Sequence, residues 1–146
     1  LYHGVMVITA KQRKELARIG RSHQLRFIIL YGSYAKGVFR ERSDLDIAYV
    51  GGTTHDWDEY LSIFQALEKV FGNSPERELD IKELHHADPL FRYQVVSHGM
   101  LLYGDPTDYE EFKLYAYRDY GDSYDLRRLQ DHLLKKSIAE ISRKYD

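Results

Sequence analysis

The chain of 146 residues has no cysteine, so neither a disulfide framework nor a thiolate metal site can hold it together. It has no apolar run near the roughly 18 residues that a membrane-spanning helix requires. Nor does a charged-then-apolar leader open it, so a cytoplasmic location with no membrane role is expected. There is no excess of positive charge: the formal net charge is -2, against the strongly basic surface of a dedicated nucleic-acid binder. Internal repeats, low-complexity tracts and an obvious linker are also lacking. What remains has ordinary apolar and charged fractions and is long enough to bury a core. One domain over residues 1–146 is expected, with a core at about 9–104 and C-terminal helices at about 107–144.

The one compositional excess is tyrosine. Of the 13, six lie between Tyr103 and Tyr124. Tyrosines are suited to half-wet seams where helices meet a sheet or a partner, and that is the role expected of these.

The pattern along the chain alternates strands and helices. Thr9 with Gln12 forms a capping box, Leu16 and Ile19 supply a thin apolar face, and Gly20 is expected to end that helix. Residues 26–31 are an apolar run of strand length, and 45–50 form a second, broken by Gly51-Gly52. Residues 56–71 repeat apolar side chains every three or four positions (Trp57, Tyr60, Leu61, Phe64, Leu67, Phe71), with Asp56, Asp58 and Glu59 at the positive end of the helix dipole. Residues 79–84 alternate as a third strand. Asp88-Pro89 starts a helix that runs to about His98, and a strand follows near Met100–Tyr103. Helix then resumes at Thr107, with an interruption expected at Gly121-Asp122-Ser123. The last helix, at 124–144, carries the stripe Leu126, Leu129, Leu133 and Ile141. The fold class is therefore α/β (α+β) with a helical C-terminal extension.

The chemistry gathers between Gly32 and Asp46. Gly32-Ser33 follows the first strand directly, and Asp44-Leu45-Asp46 opens the second. Residues two apart in a strand share a face, so Asp44 and Asp46 project together while Leu45 and Ile47 enter the core. Two such carboxylates repel unless a cation lies between them, and magnesium accepts these hard oxygen ligands together with substrate phosphates. Asp80 projects from the third strand by the same alternation. If that strand lies beside the second, three carboxylates converge, enough for two metal ions. Gly32 allows close approach of phosphate to the main chain, Ser33 offers a hydroxyl and an amide, and Lys36, Arg40 and Arg42 are nearby cations, Lys36 and Arg40 being the better placed. This is not a Walker A loop, since no Gly-Lys-Ser/Thr follows at the required spacing. The histidines His85, His86 and His98 show no second ligand pair at zinc spacing, so surface or capping roles are expected of them. Tyr60 and Phe64, at helical spacing, read as core rather than as base-stacking residues.

Gly32-Ser33, ten intervening residues, Asp44-Leu45-Asp46 and the later Asp80 resemble the polymerase-beta-type nucleotidyltransferase superfamily. The fuller Gly-Ser-Tyr-Ala-Lys-Gly, with Ser43 before the carboxylates, and the stretch Val96–Tyr103 are similar to its minimal branch, the MNT antitoxins that pair with HEPN-domain toxins. The resemblance implies a nucleotidyltransferase fold, a mixed twisted sheet backed by helices. It implies magnesium (two ions) held by Asp44, Asp46 and Asp80, with Asp80 on the side of the base. It implies triphosphate held by Gly32 and Ser33, with Lys36, Arg40 and Ser43 in the nucleotide site. It further implies transfer of AMP from ATP to a tyrosine of a HEPN ribonuclease toxin, in a hetero-oligomer with that toxin. The HEPN motif itself is incomplete here: Arg127 and His132 have its spacing, but Leu134 stands where tyrosine is required. A small-molecule or RNA acceptor, and an antitoxin that neutralises by binding alone, are the alternatives.

Overall fold

A computed structural model describes residues 6–40 and 42–145, and its elements follow the apolar pattern closely. They are α1 (Ala10–Ser22), β1 (Leu25–Tyr31), α2 (Gly32–Lys36), β2 (Leu45–Gly51), α3 (Trp57–Phe71), β3 (Leu79–Glu83), α4 (Pro89–His98), β4 (Met100–Tyr103) and α5 (Pro106–Tyr145). The four strands form one sheet in the order β3-β2-β1-β4. β1 runs antiparallel to both β2 and β4, while β2 and β3 are parallel. The sheet is therefore mixed, as expected.

Both faces are covered, which is why β1 and β2 read as nearly unbroken apolar runs. On one face Leu25, Ile28, Leu30, Leu45, Ile47 and Tyr49 pack with Leu16 and Ile19 of α1 and Ile63, Leu67 and Phe71 of α3. On the other, Phe27, Ile29, Ala48 and Val50 pack with Val95 and Val96 of α4 and Tyr109, Phe112 and Ala116 of α5. The helix starts are those expected. Thr9 Oγ1 accepts the Gln12 amide at 3.1 Å and Gln12 Oε1 accepts the Thr9 amide at 2.9 Å. Asp56 caps α3 by accepting the Glu59 amide at 2.8 Å, and Asp88 caps α4 through the Leu90 amide at 2.8 Å.

Three details differ from the sequence-based expectation. Gly20 does not end α1, which continues to Ser22. Gly20 is buried there because the Tyr103 ring occupies the space a Cβ would need. In α3 the deepest residues are Ile63, Leu67 and Phe71, whereas Trp57 is 67% exposed at the first turn. The C-terminal segment is one helix of 40 residues rather than two. Gly121 is exposed, with open space where a Cβ would stand, and one glycine costs a helix only about 1 kcal/mol, too little to break a long run of good helix formers.

Tyr117 and Tyr120 occupy the α4–α5 seam. Tyr93 meets Tyr117 and Tyr120, with ring centroids 5.5 and 4.6 Å away, and Tyr109 is buried against Phe27. Arg92 is buried at the same seam. Its guanidinium donates to the carbonyls of Leu84 (3.2 Å), Ala87 (2.9 Å) and His85, and to Asp119 Oδ2 (2.9 Å). It thereby ties the β3–α4 loop to α5.

Candidate active site

β1 ends at Tyr31, which lies opposite Asp46 in the antiparallel register. The chain then turns at Gly32, with φ +73, into the single turn of α2. This positive φ disfavours any residue with a Cβ, and so does the space: an added Cβ would overlap Asp46 Oδ2. The glycine turn therefore rests directly on a carboxylate, where phosphate oxygens and a cation would share the gap.

The second carboxylate arrives through the parallel pairing. Asp46 is the Cα partner of Asp80, and parallel neighbours lie about 4.8 Å apart with side chains on the same face. Leu45, Ile47, Leu79 and Ile81 point the other way and are buried, as the alternation requires. Asp44 precedes β2 by one residue and is exposed. Asp46 feels the charge of the other two acids. The Asp46 carboxyl is pushed up to about 6, first by partial burial, then by the negative charge of Asp80 and of Asp44. Such a trio of hard oxygen donors with mutual repulsion fits a divalent cation such as magnesium. Tyr31 belongs to the same environment: burial, then Asp46 and Asp80, raise its phenol above the usual range, so it stays protonated beside them.

Sequence reasoning missed Lys82. It shares the face of Asp80, two residues on, and its ammonium sits 3.4 Å from Asp80 Oδ1. The signal was present in Asp80-Ile81-Lys82, since the alternation that aims Asp80 aims Lys82 as well. Lys82 also partly offsets the charge felt by Asp46.

The expected phosphate-side residues separate into two groups. Ser33 and Lys36 belong to α2, and Lys36 lines a recess of about 320 Å³ with Tyr31, Gly32, Phe91, Gln94 and His98. Arg40 and Ser43 close a turn of their own: Ser43 Oγ accepts the Arg40 amide at 2.6 Å, and the Ser43 amide donates to the Arg40 carbonyl at 3.1 Å. The Ser43 hydroxyl thus shapes the approach to Asp44, while the exposed Arg40 side chain faces solvent. Tyr60 belongs to α3 on the other face, its hydroxyl donating to the Ile81 carbonyl at 3.0 Å. That is the packing role expected of it.

The fold and this carboxylate-bearing strand pair define a nucleotidyltransferase. Residues 14–108 match the family described as polymerase beta, nucleotidyltransferase, and the chain belongs to that family. Among curated proteins it is similar to the protein adenylyltransferase MntA of Shewanella oneidensis, with 31% identity over 93 residues, 61% of either chain. It is also similar to a candidate protein adenylyltransferase of Methanocaldococcus jannaschii, with 33% identity over 84 residues, 58% of this chain and 60% of that one. The matched stretch thus spans about three fifths of the length of these relatives. Among solved structures, a toxin–antitoxin complex with AMP-PNP contains a chain that superposes with a TM-score of 0.66 at 26% identity. That match covers 84% of this chain and 98% of the other.

Proposed function

We propose that this chain is a magnesium-dependent adenylyltransferase that moves AMP from ATP to a tyrosine of a cognate HEPN-family ribonuclease toxin, and so acts as its antitoxin in the cytoplasm. The observation that carries the reading is the register that puts Asp46 beside Asp80 beneath Gly32. Kinship with an adenylyltransferase from a toxin–antitoxin pair supports the choice of AMP and of a protein acceptor.

In this reading Asp44, Asp46 and Asp80 hold two magnesium ions. When bound, the metal supplies Lewis-acid charge neutralisation at the transferring phosphoryl group. The chain does the rest. The Gly32–Ser33 amides and the Ser33 hydroxyl orient the triphosphate, and Lys36 adds a cation at the edge of the recess. Arg40 approaches from the flanking turn that Ser43 closes. Asp80 accepts the proton of the attacking phenol, whose oxygen bonds to the α-phosphorus as the bond to the β-phosphate oxygen breaks and pyrophosphate leaves. Lys82, 3.4 Å from Asp80 Oδ1, positions that carboxylate. The exposed apolar stripe on α5 supports an acceptor that arrives on another protein.

The direct test is incubation with α-labelled ATP, magnesium and a candidate HEPN-family partner protein. The label should transfer to that protein, and Asp44→Ala/Asp46→Ala should lower the rate by roughly 10²–10³-fold or more. A wild type indistinguishable from that variant would refute the reading. Neutralisation by binding alone is favoured by one observation, the exposed stripe on α5, and predicts that the double variant still silences the toxin. A small-molecule or RNA acceptor would instead be labelled with no toxin present.

A further inference from the structure

The strands that carry Asp46 and Asp80 have a second chemically distinct end. There the loop from β2 to α3 meets the loop from β3 to α4. His55, Glu83 and His86 each bring one potential ligand atom, and the three atoms lie within 4.8 Å of one another. They border a recess of about 440 Å³ whose walls include Tyr49, Trp57 and Tyr60. Glu83 lies three residues beyond Asp80, so it faces the opposite side of the sheet about 10 Å further along the strand. The cluster is separate from the nucleotide carboxylates.

Its geometry suits a metal with nitrogen affinity. Glu83 Oε2 and His86 Nδ1 are 3.2 Å apart. A cation bonded to both at about 2.1 Å would see them at an angle of about 100°, close to tetrahedral. Glu83 is already aimed: Oε1 accepts the His85 amide at 2.8 Å and Oε2 accepts the His86 amide at 2.9 Å. Oε2 also meets His86 Nδ1 directly, so a cation would take the place of the proton between that nitrogen and that oxygen. His55 closes the set from the other loop, its ring centroid 4.8 Å from that of His86.

Both loops are held in place by groups that are not ligands. The Glu59 carboxylate accepts the amides of Thr53 (2.7 Å), Thr54 (2.9 Å) and His55 (2.7 Å), as well as both threonine hydroxyls. Under that clamp His55 adopts φ +55, an uncommon value for a residue with a side chain. On the other side Arg92 grips the carbonyls of Leu84, His85 and Ala87 around His86. Capping of the His85–His86 amides explains Glu83 by itself. It does not explain a clamped histidine from a loop about thirty residues earlier, brought into the same cluster.

We infer that His55, Glu83 and His86 form a binding site for a first-row divalent transition metal, of the zinc class, that staples the β2–α3 loop to the β3–α4 loop. Two imidazoles and one carboxylate, with a solvent-open fourth position, are a zinc-type donor set; magnesium would prefer the oxygens at the other end of the strands.

The test uses metal-stripped protein titrated with zinc alone, and with cobalt(II) alone as a spectroscopic probe, in the absence of nucleotide. One equivalent should bind, and cobalt should give the visible absorption of a low-coordinate nitrogen–oxygen site that zinc displaces. His55→Gln and His86→Gln should each weaken binding by on the order of tenfold or more. Asp44→Ala/Asp46→Ala and His132→Gln should leave it unchanged. In the wild-type protein, zinc should protect His55 and His86 from acylation by diethylpyrocarbonate while His132 stays reactive, a readout that needs no variant to fold. Absence of saturable zinc binding would overturn the inference. So would binding that survives loss of both histidines, loss of binding in the aspartate variant, or equal acylation with and without zinc.

Discussion

At Gly32 one residue carries two constraints. Its φ of +73 penalises any Cβ, and the same Cβ would displace the Asp46 carboxylate. Gly32→Ala should therefore cost the fold only about 1–2 kcal/mol, yet lower adenylyl transfer on the order of 100-fold, because displacement of a reacting group by an ångström is that costly. Transfer rate and thermal midpoint, measured together, check the split. Asp46 makes a pH prediction. Its folded value of about 6 lies above the ordinary 3.8, so between those values the folded chain keeps a proton that the unfolded chain has released. Metal-free protein should accordingly lose stability as pH rises through that window, and magnesium should raise the thermal midpoint more at pH ~7.5 than at pH ~5. Asp46→Asn should flatten both dependences. The sequence pattern disclosed the pair Asp44–Asp46 and the aim of Asp80 because strand alternation is local. Lys82 obeys the same rule, two residues beyond Asp80 on the same face.

Among the secondary-structure elements, two glycines in helices separate what propensity decides from what packing decides. Gly20 lies in α1 with the Tyr103 ring where its Cβ would be, and Gly121 lies in α5 with open space around it. Gly121→Ala should raise stability by about 0.5–1 kcal/mol, the ordinary helix gain. Gly20→Ala should lower stability despite the same gain in propensity, because the ring must move or β4 must shift. Denaturant unfolding of the two variants gives opposite signs. Both glycines read as stop signals in the sequence and neither is one. A glycine ends a helix only when the chain beyond it has somewhere better to go, and that depends on neighbours the local pattern does not contain. The strands and α4 were readable to within a residue because their apolar runs are bounded by turn chemistry at both ends.

For the whole molecule, two features join distant parts. Arg92 is 4% exposed and links the β3–α4 loop to α5 through three carbonyls and Asp119. Arg92→Leu should cost about 3 kcal/mol in a melting experiment, since it leaves carbonyls and a carboxylate without their donor. The far half of α5 touches the rest of the described fold through Arg127, whose guanidinium lies 3.3 Å from Asp88 Oδ2, while Leu126, Leu129 and Leu133 are each more than half exposed. In the proposed complex this stripe is covered by the partner. Leu129→Glu/Leu133→Glu should then abolish co-purification with the HEPN protein while leaving the thermal midpoint of the isolated chain nearly unchanged.

What the sequence determined by itself was everything written in short-range periodicity: strand faces, helix caps, the glycine turn and the shared face of Asp46 and Asp80. The tertiary structure decided which of these meet. Parallel pairing of β2 with β3 is a contact between segments more than thirty residues apart, and it alone brings Asp80 to Asp46. The same pairing carries Glu83 and His86 to His55, a meeting that no ligand spacing along the chain announces. Register between distant strands is set by burying both apolar faces of the sheet at once, so the sites at its two ends exist only once the core has closed.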